Sequence, residues 1–166
     1  MARECGSCSL CCKVMGIGAL AKPGGQWCPH CLPGKGCGIY GERPGECRTF
    51  NCDWLLNDTL APEWKPEKSN IVLRSSGNKI VAHVDPSTPG QWRKSPFFER
   101  LTALMHHGLD NNLLVYVAVS ENYTLLLPDR HEELGHLGAE DEVMLKTIRT
   151  PVGFAYEVEV TRGARV

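Results

Sequence analysis

All nine cysteines of this 166-residue chain lie within its first 52 residues, and the rest of the chain contains none. They are Cys5, Cys8, Cys11, Cys12, Cys28, Cys31, Cys37, Cys47 and Cys52. A thiolate is both a ligand and a compensating charge for a soft or borderline metal ion, and a Cys-x-x-Cys turn delivers two sulfurs to one ion. The distribution therefore predicts a metal site whose ligands are these nine residues.

A disulfide framework is the alternative for so many cysteines, and three features disfavour it. The N-terminal sequence Met-Ala-Arg-Glu-Cys-Gly has no apolar stretch typical of a signal peptide. An odd number of cysteines cannot pair completely, and a chain of this length can bury a core without crosslinks. The longest apolar run, residues 113–119, is much shorter than a bilayer span. We therefore expect a cytoplasmic protein with no membrane contact.

The charge of the chain is nearly balanced overall but unevenly distributed. A net charge of −1 gives no global positive field, so we expect no nucleic-acid partner. Residues 1–52 carry six Lys and Arg against three Asp and Glu, whereas residues 53–166 carry twelve against sixteen. Thiolate sites keep excess negative charge after a divalent ion binds, so nearby cations would suit them. Ordinary surface charge explains the excess equally well.

Apolar periodicity begins only after the last cysteine. Residues 1–52 are rich in glycine and proline and predict loops wrapped around metal. Farther along the chain, alternating apolar segments predict three hairpins: 71–73 with 80–82, 113–119 with 123–127, and 143–148 with 154–160. Ser95 and Pro96 predict the N-cap and first turn of a helix that ends near Gly108, and a short helix is expected to begin at Trp54.

These segments predict an α+β fold. A cysteine-rich, loop-dominated metal-binding lobe, residues 1–56, is followed by residues 57–166, which form a small antiparallel β-sheet with one main helix. No flexible linker separates the two, so we expect one compact unit.

The cysteine motifs resemble a known family. The matching segments are Cys5-Gly-Ser-Cys-Ser-Leu-Cys-Cys12, Trp27-Cys28-Pro29-His30-Cys31 and the run from Gly36-Cys37-Gly38-Ile39-Tyr40 through Arg43-Pro44 to Cys47-Arg48-Thr-Phe50-Asn-Cys52. Together they are similar to the YkgJ-like CxxCxxCC family, a bacterial family described as zinc- or iron-chelating. The resemblance covers residues 5 to about 56 and implies metal chelation by the matched cysteines, without an established activity.

The identity and number of the metal ions must be argued from the sulfurs. Cys11 and Cys12 are neighbours whose side chains diverge, so we expect them to serve two sites or a multinuclear cluster. We favour zinc, with two or three ions, and keep an iron–sulfur cluster as the alternative because both use thiolates. The spacing from Cys5 to Cys11 agrees with the start of a bacterial ferredoxin motif, but Cys12 stands where that motif has no cysteine, and its fourth cysteine, followed by proline, is absent.

Other polar residues support weaker hypotheses. His30 lies inside a Cys-x-x-Cys turn and could replace a thiolate, although such residues usually face away from the ion. Tyr40, Arg43 and Arg48 belong to the family-like motif, and the arginines could donate to sulfur or form ordinary salt bridges. His106 and His107 diverge on a helix, and we interpret the segment around His131 and His136 as a solvated loop. We therefore expect no further metal site there.

The expected function is metal binding with a structural or metal-handling role. The alternative is an iron–sulfur protein that acts in electron transfer or as an oxidoreductase, so enzymatic activity is left open. No phosphate-binding loop or nucleophile motif is present. The second lobe carries no diagnostic motif, and we interpret it as a surface for a protein partner.

Overall fold

The computed structural model describes residues 3–163. The cysteine-rich region contains only short elements: helices α1 (Cys11–Val14), α2 (Gly45–Thr49) and α3 (Asp53–Leu56), strands β1 (Cys31–Leu32) and β2 (Gly36–Cys37), and 3-10 turns at Gly18–Leu20 and Tyr40–Glu42. Glycine and proline disfavour longer elements here, as the sequence indicated. The short helix expected at Trp54 is confirmed as α3, which begins one residue earlier.

The second region contains the sheets and the main helix. Its elements are α4 (Pro66–Ser69), β3 (Ile71–Ser76), β4 (Lys79–Val84), α5 (Phe97–Asp110), β5 (Leu114–Val119), β6 (Asn122–Leu126), β7 (His131–His136), β8 (Glu142–Thr150) and β9 (Gly153–Thr161), with 3-10 turns at Pro62–Trp64 and Gln91–Arg93. The three predicted hairpins are confirmed as β3–β4, β5–β6 and β8–β9. The fold is α+β, as predicted.

The main sheet has five strands in chain order, β3-β4-β5-β6-β7. Its neighbouring strands are antiparallel except for β4 and β5, which run parallel with Ile80 opposite Val115. A parallel pair needs a crossover connection, and α5 supplies it. Strands β8 and β9 form a separate two-stranded sheet.

The two faces of the main sheet have different coverings, because side chains alternate along each strand. Ile71 and Leu73 of β3 join a core with Leu101 and Met105 of α5. The opposite face carries Leu114, Tyr116 and Leu125, which pack against the β8–β9 hairpin. Val72, also on this opposite face, is fully buried against Leu10 and Val14 of the cysteine-rich region. The sheet is therefore the surface on which that region is packed.

Two predictions about α5 are wrong. Pro96, not Ser95, is the N-cap, and no side chain caps the helix; the Ser95–Pro96 peptide bond is cis. The helix continues past Gly108 to Asp110. Gly108 is buried, and a Cβ there would lie 2.5 Å from the Leu113 carbonyl oxygen. The absence of a side chain at this position therefore allows the helix to pack closely against Leu113. The sequence pattern alone does not distinguish a glycine with this role from one that ends a helix.

The segment around His131 and His136 is also not a loop. It forms β7, the edge strand of the main sheet, where β6 supplies its partners. Arg162 donates hydrogen bonds to the carbonyls of Leu134 and His136 and forms a 2.7 Å ion pair with Asp141. These contacts cover part of an edge that would otherwise be open to strand pairing.

Direct polar contacts also join the two regions. The Lys13 ammonium lies 2.7 Å from the Asp85 carboxylate and 2.8 Å from the Ser87 hydroxyl. The Arg3 guanidinium donates to four backbone carbonyls, those of Trp54, Asn57, Asp58 and Leu60. The division at residue 56 stays a prediction. Within residues 3–163, no helix is both long enough and apolar enough to cross a bilayer.

Candidate metal centre

The nine cysteines all line one cavity of about 670 Å³. It lies between the loops of the cysteine-rich region and the β3 end of the main sheet, where Val72 and Arg74 also line it. None of the nine cysteines is in a disulfide. Residues scattered over most of the first third of the chain are therefore brought to one place as free thiols.

The thiols fall into two groups according to their neighbours. The first thiol group is Cys5, Cys8, Cys11 and Cys52. Cys52 is buried in an apolar cluster with Leu10, Val14 and Val72, and Cys8 and Cys11 pack against that cluster. Burial raises the pKa of Cys5, and the neighbouring Cys52 and Cys8, followed by Cys12, raise it further.

The second thiol group is Cys12, Cys28, Cys31, Cys37 and Cys47. Cys28 and Cys31 are buried beside Ile17, and Cys12 and Cys47 pack against them. The Cys28 amide donates to the Cys12 carbonyl at 2.9 Å, which ties this segment to α1. Burial raises the pKa of Cys47, and Cys12, Cys28 and Cys37 add to the effect.

The β1–β2 hairpin positions two members of the second group directly. Cys31 is paired with Cys37, and the flanking Gly38 amide donates to the His30 carbonyl at 2.8 Å. This pattern makes Cys31 and Cys37 a non-hydrogen-bonded pair, the arrangement that brings opposite side chains closest together. Two thiols separated by five residues are therefore presented on one face of a single turn.

Cys11 and Cys12 connect the two groups. Cys11 is the largest cause of the raised pKa of Cys12, followed by burial. Cys31 also lies beside Cys12, and the pKa of Cys31 is raised to about 11, mainly by burial. The adjacent cysteines therefore contact each other and face different partners.

Burial and crowding disfavour thiolates across both groups. The pKa is raised above 9.0 for Cys5, Cys12, Cys31, Cys47 and Cys52. Burial is the largest cause at four of them, and at Cys12 it follows the effect of the neighbouring Cys11. These five cysteines are thiols at neutral pH, so a cation that binds them must displace their protons.

The two arginines that the motif suggested hold a loop together, and two lysines lie beside the thiols instead. Arg43 stacks 3.6 Å from the Tyr40 ring and donates to the Tyr40 carbonyl, and Arg48 donates to the carbonyls of Arg43 and Gly41. Both guanidinium groups thus hold a loop together. Lys22 and Lys65 are the ammonium groups that lie beside the thiols, Lys22 at the second group and Lys65 at the first.

The side chains do not form a ready coordination shell. Among residues 3–163 no three His, Cys, Asp or Glu side chains are placed to hold one metal ion. The donors are nevertheless soft thiols with a single side-chain torsion each, and they line a common cavity. Binding of an ion would therefore require rotation of these thiols and loss of their protons.

The histidines do not extend the site. His30 lines the cavity, so its candidacy as a ligand stays a prediction. On β7, the His131 ring packs edge-on against the Trp92 ring, with centroids 5.3 Å apart. At the end of the same strand, His136 Nδ1 lies 3.6 Å from the Glu121 carboxylate. His106 and His107 are adjacent residues of α5. Sequence reasoning did not single out Lys22, which is buried beside the second thiol group, because nothing in its local sequence pattern indicates burial.

Comparisons of the chain with protein-family models, curated proteins and solved structures found no match.

Proposed function

We propose that this protein binds zinc through its cysteine thiolates, with two or three ions per chain, in a structural or metal-handling role. The observation that supports this most is the convergence of nine free thiols on one cavity in groups of four and five. Tetrahedral zinc sites commonly use four sulfurs. Four thiols satisfy one such site, and five exceed the need of a second by one.

The resemblance to the YkgJ-like CxxCxxCC family is part of the same proposal. It rests on the motifs of residues 5 to about 56, which include every member of both thiol groups. We propose a cytoplasmic location, and a protein partner that contacts the second lobe.

The cavity suits a cation because its thiols are costly to ionise alone. Burial and, after it, mutual repulsion raise the pKa of several thiols, so these thiols keep their protons in the ligand-free centre. A divalent ion stabilises thiolates directly and removes this repulsion. Metal binding therefore supplies free energy for ordering a region that has only two small apolar clusters of its own.

An iron–sulfur cluster is the second candidate, and the first thiol group favours it. Cys5, Cys8 and Cys11 follow the spacing of a bacterial ferredoxin, and Cys52 lies beside them although it is distant in sequence. Ferredoxin clusters also take three cysteines from one run and a fourth from elsewhere in the chain. Such a protein would act in electron transfer or as an oxidoreductase.

The test is metal and sulfide analysis of protein purified without oxygen. We expect two or three zinc ions per native chain and no visible absorption band. Iron with sulfide, and a band that bleaches on reduction, would instead support the second candidate. One ion or none per chain would contradict the two-group proposal.

Substitutions at the adjacent cysteines test the grouping. Cys11→Ser and Cys12→Ser should each lose metal, because serine offers a hard, poorly ionised oxygen. Cys11→Ser should expose Cys5, Cys8 and Cys52 to alkylation, whereas Cys12→Ser should expose the second thiol group. Thr49→Ser is the matched control, since Thr49 lines the cavity without a sulfur. Unchanged metal content in both cysteine variants would refute the grouping.

A further inference from the structure

Lys22 is a buried cation without an acidic partner. Its relative exposure is 6%, and it follows a left-handed residue, Ala21, in a turn whose ends pair through Ile17 and Lys22. Within residues 3–163, no Asp or Glu forms an ion pair with it. A buried ammonium is unfavourable unless something nearby compensates its charge.

The hydrogen bonds of Lys22 compensate only part of that charge. Its Nζ donates to the Lys13 carbonyl at 3.0 Å and to the Met15 carbonyl. These carbonyls lie at the C-terminal end of α1, where a cation is favourable. Carbonyl dipoles carry partial charges, however, so a full positive charge still lacks a full negative one.

The missing negative charge is available from the second thiol group. Ile17, which pairs with Lys22, is buried with Cys28 and Cys31, and Cys12 and Cys47 pack against this cluster. Burial lowers the pKa of Lys22, and the neighbouring Cys28, Cys12, Cys11 and Cys47 oppose that shift. Four thiolates around one divalent ion leave an excess charge of about −2. An ammonium held in place by backbone carbonyls would offset part of it.

We propose that Lys22 is the fixed counter-charge of the second thiol group and strengthens metal binding there. Lys22 is a positioning residue in this role, because it acts on the thiolates and not on the ion itself. The inference rests on the proposed metal-binding function.

Two other lysines near the thiols show why Lys22 is distinct. Lys13 is paired with Asp85 at 2.7 Å, and Lys65 with Glu67 at 2.6 Å. Their charges are already compensated by carboxylates. Lys65→Gln is therefore a matched control that removes an ammonium beside the first group, and it should leave metal binding by the second group unchanged.

A purely structural role as a cap of α1 makes a different prediction. Lys22→Gln keeps N–H donors for the Lys13 and Met15 carbonyls but removes the charge, whereas Lys22→Met removes both. If Lys22 only caps the helix, Gln should preserve metal binding and Met should weaken it. If its charge matters, both should weaken binding, and Lys22→Arg should restore most of it.

The experiment measures zinc affinity of the full chain by competition with a chromogenic chelator, with circular dichroism as a check of folding. Lys22→Gln should weaken zinc binding by the second group about 10- to 100-fold, the usual effect of removing a residue that supports metal ligands. The Cys11→Ser background isolates that group. An affinity within about twofold of native overturns the inference.

Two further outcomes keep the test decisive. If native protein binds no metal, the proposed function fails; if native protein binds metal and Lys22→Gln does so equally well, only the role of Lys22 fails. Should Lys22→Gln not fold, Lys22→Arg decides: a folded arginine variant with native affinity supports the counter-charge, and one that loses tenfold overturns it.

Discussion

Gly25 tests how the cysteine-rich region is packed on the main sheet. Its φ is +84°, and an added Cβ would overlap the Ser120 hydroxyl and lie 2.9 Å from the Ser120 Cβ. The neighbouring Gly24 amide donates to the Glu121 carboxylate at 3.3 Å. Both contacts are with the turn between β5 and β6. Gly25→Ala should therefore disturb the junction between the two regions without touching a cysteine.

The expected loss of stability has two parts. An alanine in the left-handed region costs about 1–2 kcal/mol, and forcing extra atoms into a filled site costs about 1–3 kcal/mol. Gly25→Ala should thus cost roughly 2–5 kcal/mol. Gly34, with φ +72° and no atom within 4 Å of an added Cβ, should show the conformational part alone. Gly41, whose added Cβ also meets nothing within 4 Å and whose φ is not positive, should show neither part.

Thermal unfolding at a fixed metal content is the assay. For a chain of this size each kcal/mol shifts Tm by about 2–4 °C, so Gly25→Ala should lower it by roughly 4–20 °C. Ser120→Gly removes the hydroxyl and Cβ that would clash. In the double variant it should recover about 1–3 kcal/mol more than it contributes in native protein, where the φ of Ser120, +56°, already favours glycine. The reasoning fails if Gly25→Ala costs no more than Gly34→Ala, or if Ser120→Gly recovers nothing.

Two further predictions concern metal removal and pH. After chelation, limited proteolysis should cut residues 1–56 before it cuts the main sheet, because the apolar clusters around Cys52 and Cys28 are small. Protection of residues 1–56 after verified metal loss would contradict this. Metal-free protein should lose stability as pH rises above 9.0, because its thiols have raised pKa values in the folded state. The lowered pKa of Lys22 acts in the opposite direction, but it is one group against several thiols. Metal-loaded protein should lose stability in acid, as protons displace the ion. Profiles of Tm against pH check the signs. The lowered pKa values of Asp85, Asp141 and buried His83 cost both forms some stability in acid, so an acid loss no larger in metal-loaded than in metal-free protein would be inconsistent with metal-bound thiolates.

Apolar alternation made the hairpins predictable, and its absence made β7 unpredictable. The segments 71–73 and 80–82 pack one face against α5, and a short turn joins them. The apolar pattern of the sequence therefore agrees with the packing of the folded chain. The sequence of β7, His-Glu-Glu-Leu-Gly-His, has little apolar character. It becomes a strand because β6 offers an open edge, and Arg162 bonds two of its carbonyls. Such tertiary causes leave no mark on the local sequence.

The cysteine set could also be read from the sequence, but its division into groups could not. Cys52 joins Cys5 and Cys8, which lie far from it along the chain, and it is buried against Val72 of β3. Cys37 joins Cys31 through the register of a two-residue hairpin. The burial of Lys22 depends on a turn that brings it back to the end of α1. Each of these features is long-range or depends on register.

The main sheet has a direct role in the proposed centre through α1. Adjacent helical side chains diverge by about 100°, so the orientation of α1 decides which thiol group each of Cys11 and Cys12 faces. That orientation is held by Val14 packed on Val72 and by Lys13 paired with Asp85. A rotation of α1 would move both thiols at once, away from both groups. The second lobe therefore acts as the scaffold that keeps two adjacent cysteines directed at different partners.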